Sequence, residues 1–187
     1  TRQMAVNVAI GEFLLWCDED AVPVSDWIMA YVDRFLTDES IGLIAGKIVN
    51  HGFPTEMKFK GLQVFSINGM LDRVSDPEEA FVFSNLNMGL RMSILRDIGG
   101  YDSFFSGGYE EVDLNLCIRS RGIQIVYEER AKVDHYFSEV SFKKGRFFFG
   151  SQLMRLYLYY KHIEVLKNDN FFSQEVRIMF LDVYRSY

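Results

Sequence analysis

Short continuous apolar runs alternate with helix-spaced stripes along most of this chain. Phe13–Cys17 is an unbroken apolar run, the pattern of a strand buried on both faces. Ahead of it, Met4, Ala5 and Val8 mark one face of a short helix that Gly11 ends. After it, Ser25 reads as an N-cap with Asp26 in the first turn, and Trp27, Tyr31 and Phe35 recur at helical spacing. Ile28, Val32 and Leu36 widen that stripe, so the helix runs to about Leu36. Ile41–Val49 reads as a second apolar strand interrupted by Gly46, and His51–Pro54 as a turn. The pattern over 59–71 is weak, and Asp72, Asp76, Glu78 and Glu79 surround a loop broken by Pro77. Phe81–Leu90 has the bulk of buried extended chain, and Ser93 caps a short helix ending at Gly99-Gly100. A glycine-containing loop over 102–109 leads into a helix over 110–121, with Leu114, Cys117 and Ile118 on one face and Gly122 as its stop. Ile123–Tyr127 and Lys132–Phe137 read as two short strands. Strands alternating with helices predict an α/β layered fold.

The end of the chain has another character. Ser141–His162 holds no acid, while Lys143, Lys144, Arg146, Arg155 and Lys161 are interleaved with aromatic and aliphatic residues. Such a helix either packs on the core with its cations snorkelling to water, or lies at an anionic membrane surface over 142–162. Packing is the preferred reading. Phe171–Tyr187 reads as one more amphipathic helix, which divides the chain into a layered part, 1–140, and a helical extension, 141–187.

Composition narrows the classes. The 187 residues are 49% hydrophobic, enough for one domain with a sizeable core, and contain no linker or repeat. A net charge of −6 argues against a nucleic-acid partner. No apolar stretch reaches the roughly 18 residues that a membrane span needs. Cys17 and Cys117 lie far apart in apolar runs, so reduced thiols and a cytoplasmic location are expected. The chain opens on Thr1 with a helical pattern already under way, which leads us to expect part of a longer protein.

Two acidic constellations carry the candidate chemistry. Asp18, Glu19 and Asp20 follow the first strand without a break, and Pro23 prevents that strand from continuing as a central one. If the chain stays extended, Asp18 and Asp20 share a face, and carboxylates so close are relieved by a hard divalent cation. The same acids read equally as a solvated turn capping the next helix. The second constellation, Glu110, Glu111 and Asp113, opens a helix behind Gly107-Gly108; the helix dipole alone accounts for acids there.

Together, the two resemble the family 2 glycosyltransferases. Arg2–Pro23 is similar to the segment leading into that family's Asp-x-Asp motif, and Asp26-Trp27 continues it. Asn87-Met88, Arg91 and Gly99-Gly100-Tyr101-Asp102 resemble the acceptor-side segment. Glu110-Glu111-Val112-Asp113-Leu114 with Arg119 and Gly122 resembles the Glu-Asp-x-Asp-Leu signature, and His135 matches the family's late histidine. The resemblance covers about residues 2 to 137, in order and spacing. It implies a partial GT-A (Rossmann-like) mixed sheet flanked by helices, with C-terminal aromatic and basic helices. It also implies transfer of a sugar from a nucleotide diphosphate sugar to a hydroxyl of a glycan or lipid-linked acceptor, with inversion.

On that resemblance, Asp18 and Asp20 contact the donor diphosphate, and Asp20 with His135 holds Mg²⁺ or Mn²⁺. Asn87, Met88 and Asp113 lie on the acceptor side. Glu111 is the general base, with Glu110 as the alternative. Glu111 stands where Asp is commoner, one methylene longer, and a displacement of about 1 Å can cost roughly 10²-fold in rate. The family's nucleotide-base pocket precedes the matched segment, so we expect weak donor binding by this chain alone and an open edge at Phe13–Cys17. Acceptor choice is expected in the loops over 53–77 and 103–109. A metal-dependent phosphoesterase built on Asp18, Asp20, Glu111, Asp113 and His135, or a non-catalytic α/β binding module, are the competing classes.

Overall fold

The computed structural model describes residues 2–52, 61–65, 71–105, 108–136 and 148–166. The helix expected over 171–187, the start of the basic stretch over 141–147 and part of the two acceptor-side loops lie outside the described residues.

Helix α1 (Arg2–Val8) precedes strand β1 (Phe13–Cys17), and a tight turn leads to β2 (Ala21–Pro23). Helix α2 (Trp27–Thr37) and β3 (Ile41–His51) follow, then β4 (Leu62–Phe65), β5 (Leu71–Arg73), β6 (Val82–Phe83) and β7 (Asn87–Arg91). Helices α3 (Met92–Asp97) and α4 (Glu110–Ser120) precede β8 (Gln124–Tyr136), α5 (Phe148–Lys161) and α6 (Ile163–Leu166). The main sheet has the order β1-β7-β3-β8-β2; a small one has β5-β4-β6. Only β3 and β8 run parallel in the main sheet; its other pairs are antiparallel.

Both faces of the main sheet are covered, which is why β3 reads as a continuous apolar run. On one face Trp27, Tyr31 and Phe35 of α2 pack against Ile41, Ile44, Ile48 and Val133. On the other, Leu114 and Ile118 of α4 and Leu95 of α3 meet Leu43, Ala45, Met88 and Leu90. Burial of a side chain such as Phe35, which is 0% exposed, contributes about 1.5–3 kcal/mol. A third cluster joins α5 to α4 and the small sheet through Val82, Phe105, Val112, Leu116 and Leu158. The packed reading of α5 therefore holds for its described part.

Several local expectations are corrected. Gly46 does not interrupt β3. It sits at a register shift against β8, where a Cβ would overlap the Ala131 carbonyl and the Asn87 amide. The two strands expected around Tyr127 and Val133 are one, because β3 is long enough to pair with both halves. Ser25 and Ser93 are not caps: α2 starts behind Asp26 and α3 behind Arg91, in each case without a side-chain cap hydrogen bond. Strand β1 is half-buried along its whole length, as befits the sheet's edge, and Pro23 lies in the opposite edge strand.

Candidate active site

The acidic segment is a turn, so Asp18 and Asp20 do not share a face. The Ala21 N–H donates to the Asp18 carbonyl at 3.1 Å, closing the chain so that β1 can pair with β7 and β2 with β8. The two carboxylates consequently point to different partners. Asp20 Oδ1 lies 3.3 Å from His135 Nε2, and the Tyr136 N–H donates to the Asp20 carbonyl at 2.8 Å. Asp18 Oδ1 lies 3.5 Å from Arg2 Nη2.

Arg2 is what joins the two constellations. Its Nη1 donates to Glu110 Oε1 at 2.5 Å, and its guanidinium lies 5.8 Å from the Trp16 ring centroid. Helix α4 is aimed at this point by an unusual backbone: Tyr109, just before Glu110, has φ 65°, the only positive value at a non-glycine among the described residues. Left-handed backbone at an aromatic residue costs on the order of 1–3 kcal/mol and persists where its surroundings fix it.

Arg2 also differentiates the two glutamates. Glu110 is ion-paired through Oε1, while its buried Oε2 makes no hydrogen bond among the described residues. Among the described residues Glu111 has no ion pair, and its carboxyl is held above the usual range by burial first, then by Glu110 and Asp18, with its own backbone N–H and Arg2 opposing. Asp18 is likewise raised, by burial and by Asp20 and Glu19, with Arg2 and His135 opposing. Asp18 and Glu111 thus feel each other's charge, although they come from opposite ends of the site. Burial and the neighbouring Asp18 and Asp20 also push up the Cys17 thiol, so it is a poor nucleophile.

His135 is 9% exposed and oriented from behind, its Nδ1 2.6 Å from Asn50 Oδ1. With Nδ1–H donating to that amide oxygen, Nε2 presents a lone pair to the Asp20 carboxylate. A cation bound between them reconciles the two. Asp20 and His135, a carboxylate and an imidazole 3.3 Å apart, suit Mg²⁺ or, better, Mn²⁺, so this pair fits the group.

The remaining expected residues lie deeper. Asn87 accepts from Trp27 Nε1 and Tyr31 OH, both at 2.8 Å, and donates to the Lys47 and Ala131 carbonyls at 2.9 and 2.7 Å. All four of its hydrogen-bonding positions are used in tying α2, β3, β7 and β8 together. Met88 is 0% exposed in the core. Asp113 faces α5 and α6, where it meets Lys161 and His162.

Sequence reading missed Arg2, Asn50 and the Tyr109 backbone. Arg2 had a signal: it is the only basic residue ahead of Arg34, in a stretch that carries the densest acids. Asn50 and Tyr109 had none, since strand pairing and a left-handed φ are set by tertiary structure.

No family model matches the chain. Among curated proteins it is similar to a glucosyl-dolichyl phosphate glucuronosyltransferase of Haloferax volcanii, 22% identical over 144 residues. That match covers 72% of this chain and 46% of the relative. It is also similar to the pre-mycofactocin glycosyltransferase of Mycobacterium tuberculosis, 25% identical over 137 residues, covering 72% of this chain and 29% of the relative. The chain thus spans under half the length of these relatives.

Among solved structures, GalNAc-T7 with UDP, GalNAc and Mn²⁺ superposes with a TM-score of 0.58 at 16% identity, over 73% of this chain and 30% of that one. The mannosyltransferase PcManGT of Pyrobaculum calidifontis, with GDP-Man and Mn²⁺, gives 0.52 at 15% identity, over 87% and 42%. At these identities the likeness is one of fold. The mixed sheet flanked by helices is a GT-A fold, the architecture of nucleotide-sugar glycosyltransferases, as the resemblance implied.

Proposed function

We propose that this chain carries the acid-bearing half of a metal-dependent, inverting glycosyltransferase. It would move a hexosyl unit from a nucleotide diphosphate sugar to a hydroxyl of a glycan or lipid-linked acceptor in polysaccharide or glycan synthesis. The observation that carries the reading is Arg2 drawing Glu110 of α4 against Asp18 of the acidic turn, with Glu111 left unpaired and raised. The GT-A fold supports it. So do the nature of the curated relatives and the nucleotides and Mn²⁺ that accompany the two solved structures.

In this reading Asp18 and Asp20 face the donor diphosphate, and Asp20 with His135 holds Mg²⁺ or Mn²⁺. When bound, that ion offsets the negative charge that develops on the departing diphosphate. Glu111 takes the proton of the acceptor hydroxyl as its oxygen attacks the anomeric carbon on the side opposite the diphosphate, which inverts that centre. Arg2 restrains Glu110, which selects Glu111 as the base, and the unpaired Glu110 Oε2 is free to accept from a sugar or acceptor hydroxyl. Asn87 and Met88 set the acceptor side by fixing the sheet beneath it. Asp113 does so by fixing α5. Residues 1–140 form the catalytic part and 141–187 a helical extension. Exposed Leu153 and Tyr160 on α5 suit a peripheral contact at the cytoplasmic membrane face, where a lipid-linked acceptor would lie. Among the described residues, no helix is long and apolar enough to cross a membrane.

The test is sugar transfer by the full-length protein with Mn²⁺ present. Asp20→Ala and Glu111→Gln should each abolish it while circular dichroism stays unchanged. Full activity in both variants removes these residues from the mechanism.

A further inference from the structure

Behind the glutamates that open α4, the same helix carries a constellation that sugar transfer does not use as ligands. Asp113 and Cys117 stand four residues apart on α4 and share a face. His162, at the junction of α5 and α6, closes onto them with Nε2 2.7 Å from Asp113 Oδ1. One carboxylate oxygen, the Cys117 Sγ and one imidazole nitrogen all lie within 4.8 Å of one another. The Asp113 and His162 side chains are 3% and 5% exposed, whereas Cys117 is only half-buried and leaves a route in from solvent.

We propose that Asp113, Cys117 and His162 form a second divalent-cation site, distinct from the acidic turn, for a borderline-soft ion such as Zn²⁺ that pins α5 and α6 to α4. The donor set chooses the ion. Thiolate, imidazole and carboxylate together suit Zn²⁺ and are a poor match for the hard ions that an all-oxygen site prefers. Metal–ligand bonds of about 2.0–2.3 Å put tetrahedral neighbours roughly 3.3–3.7 Å apart. The Asp113–His162 contact therefore opens by less than about 1 Å, within reach of a side-chain rotation.

Lys161 accommodates the ion. Its Nζ lies 2.8 Å from Asp102 Oδ2 and reaches both Asp113 oxygens, Oδ1 at 2.9 Å and Oδ2 at 3.0 Å; an ion replaces the contact with Oδ1, while those with Asp102 and Asp113 Oδ2 can remain. Two cations already face the cluster: Lys161 pairs with Asp102 and Asp113, and Arg121 donates to the Cys117 carbonyl at 3.1 Å and lies beside its thiol, so the four charges balance before an ion enters. The reaction Cys–SH + M²⁺ → Cys–S–M⁺ + H⁺ releases one proton per ion. The deciding observable is a sulfur–metal bond.

The experiment is titration of the chelator-treated full chain with Co²⁺, followed by optical absorption. A thiolate-to-cobalt charge-transfer band should rise to one equivalent, and Zn²⁺ should remove it while raising the melting temperature. Cys117→Ser should lose the band with unchanged circular dichroism, and His162→Ala should weaken Co²⁺ binding at least about tenfold. Cys17→Ser and Asp20→Asn should keep the band, so failure here and failure of the transferase reading are separable. Absence of a band at one equivalent in the unmodified chain, or a band that survives Cys117→Ser, overturns the proposal.

Discussion

Glu110 and Glu111 face the acidic turn, whereas Asp113, less than a turn further along α4, faces α5 and α6. In front, Asp18, Glu19, Asp20, Glu110 and Glu111 share one cation, Arg2, and the imidazole of His135. Behind, Asp102 and Asp113 share Lys161 and His162. The acids respond in opposite directions. Asp18 and Glu111 are pushed up, chiefly by burial and then by other acids. For Asp102 burial works upward too, but the Lys161 hydrogen bond and the Phe104 amide outweigh it and hold the carboxyl below its ordinary range. Lys161 is raised in turn: its burial is outweighed by Asp102 and Asp113. One helix therefore serves an under-compensated cluster suited to chemistry and a compensated one suited to holding the fold.

The contrast can be broken from either side. Glu111→Gln should lower the transfer rate by about 10²–10⁴-fold, the usual worth of a general base, in an assay at saturating donor. It should also leave the protein at least as stable near neutral pH. A group raised on folding binds its proton more tightly in the folded state, so its ionisation above the raised value opposes folding. Asp113→Ala should do the reverse, costing about 2–3 kcal/mol in a urea titration. That figure lies below the usual 3–5 kcal/mol for a broken buried pair because Lys161 is partly exposed and keeps Asp102.

Arg2→Met tests the bridge, within the front cluster, between the acidic turn and the start of α4. Arg2 lowers both Asp18 and Glu111, so its loss should move the acidic limb of the rate–pH profile to higher pH, and Arg2→Lys should recover part of the shift. In the unmodified protein that limb should already lie above 4.5, the ordinary value for Glu, with activity falling as pH drops through it. An acidic limb at or below that value would remove Glu111 as the base. The smallest effect is expected for Asp102→Asn, a loss of about 0.2–1 kcal/mol by thermal denaturation. Its contribution is present above the unfolded carboxyl value and disappears as pH falls through the lowered folded one, so the difference should vanish in acid.

What could be read in advance follows from where the information resides. Strands β1 and β3 and helices α2 and α4 were legible because their burial is written locally, in apolar runs and stripes. Strands β4 and β5 were not, since three or four residues pairing within a small sheet leave no period to detect, and β6 was read only as part of the extended run Phe81–Leu90. The unity of β8 depends on β3 running alongside it, and the turn at Asp18–Asp20 depends on two strands pairing at opposite edges of the sheet. The acids of the site could be named from their order in the chain. Their division of labour could not, because Arg2 and Asn50 act across 108 and 85 positions respectively.

Those same separations bear on biosynthesis. The site is drawn from α1, the β1–β2 turn, the end of β3, the start of α4 and the end of β8, so no early portion of the nascent chain contains it. At roughly 5–20 residues per second, several seconds separate the emergence of Asp20 from that of His135. Through that interval the acidic turn waits without its partner strand, while α2 and the β1 segment can already form local structure. Contacts of such long range also form late in refolding. Recovery of activity after dilution from denaturant should therefore trail the recovery of helix, and catalytic competence becomes a report that β8 has docked.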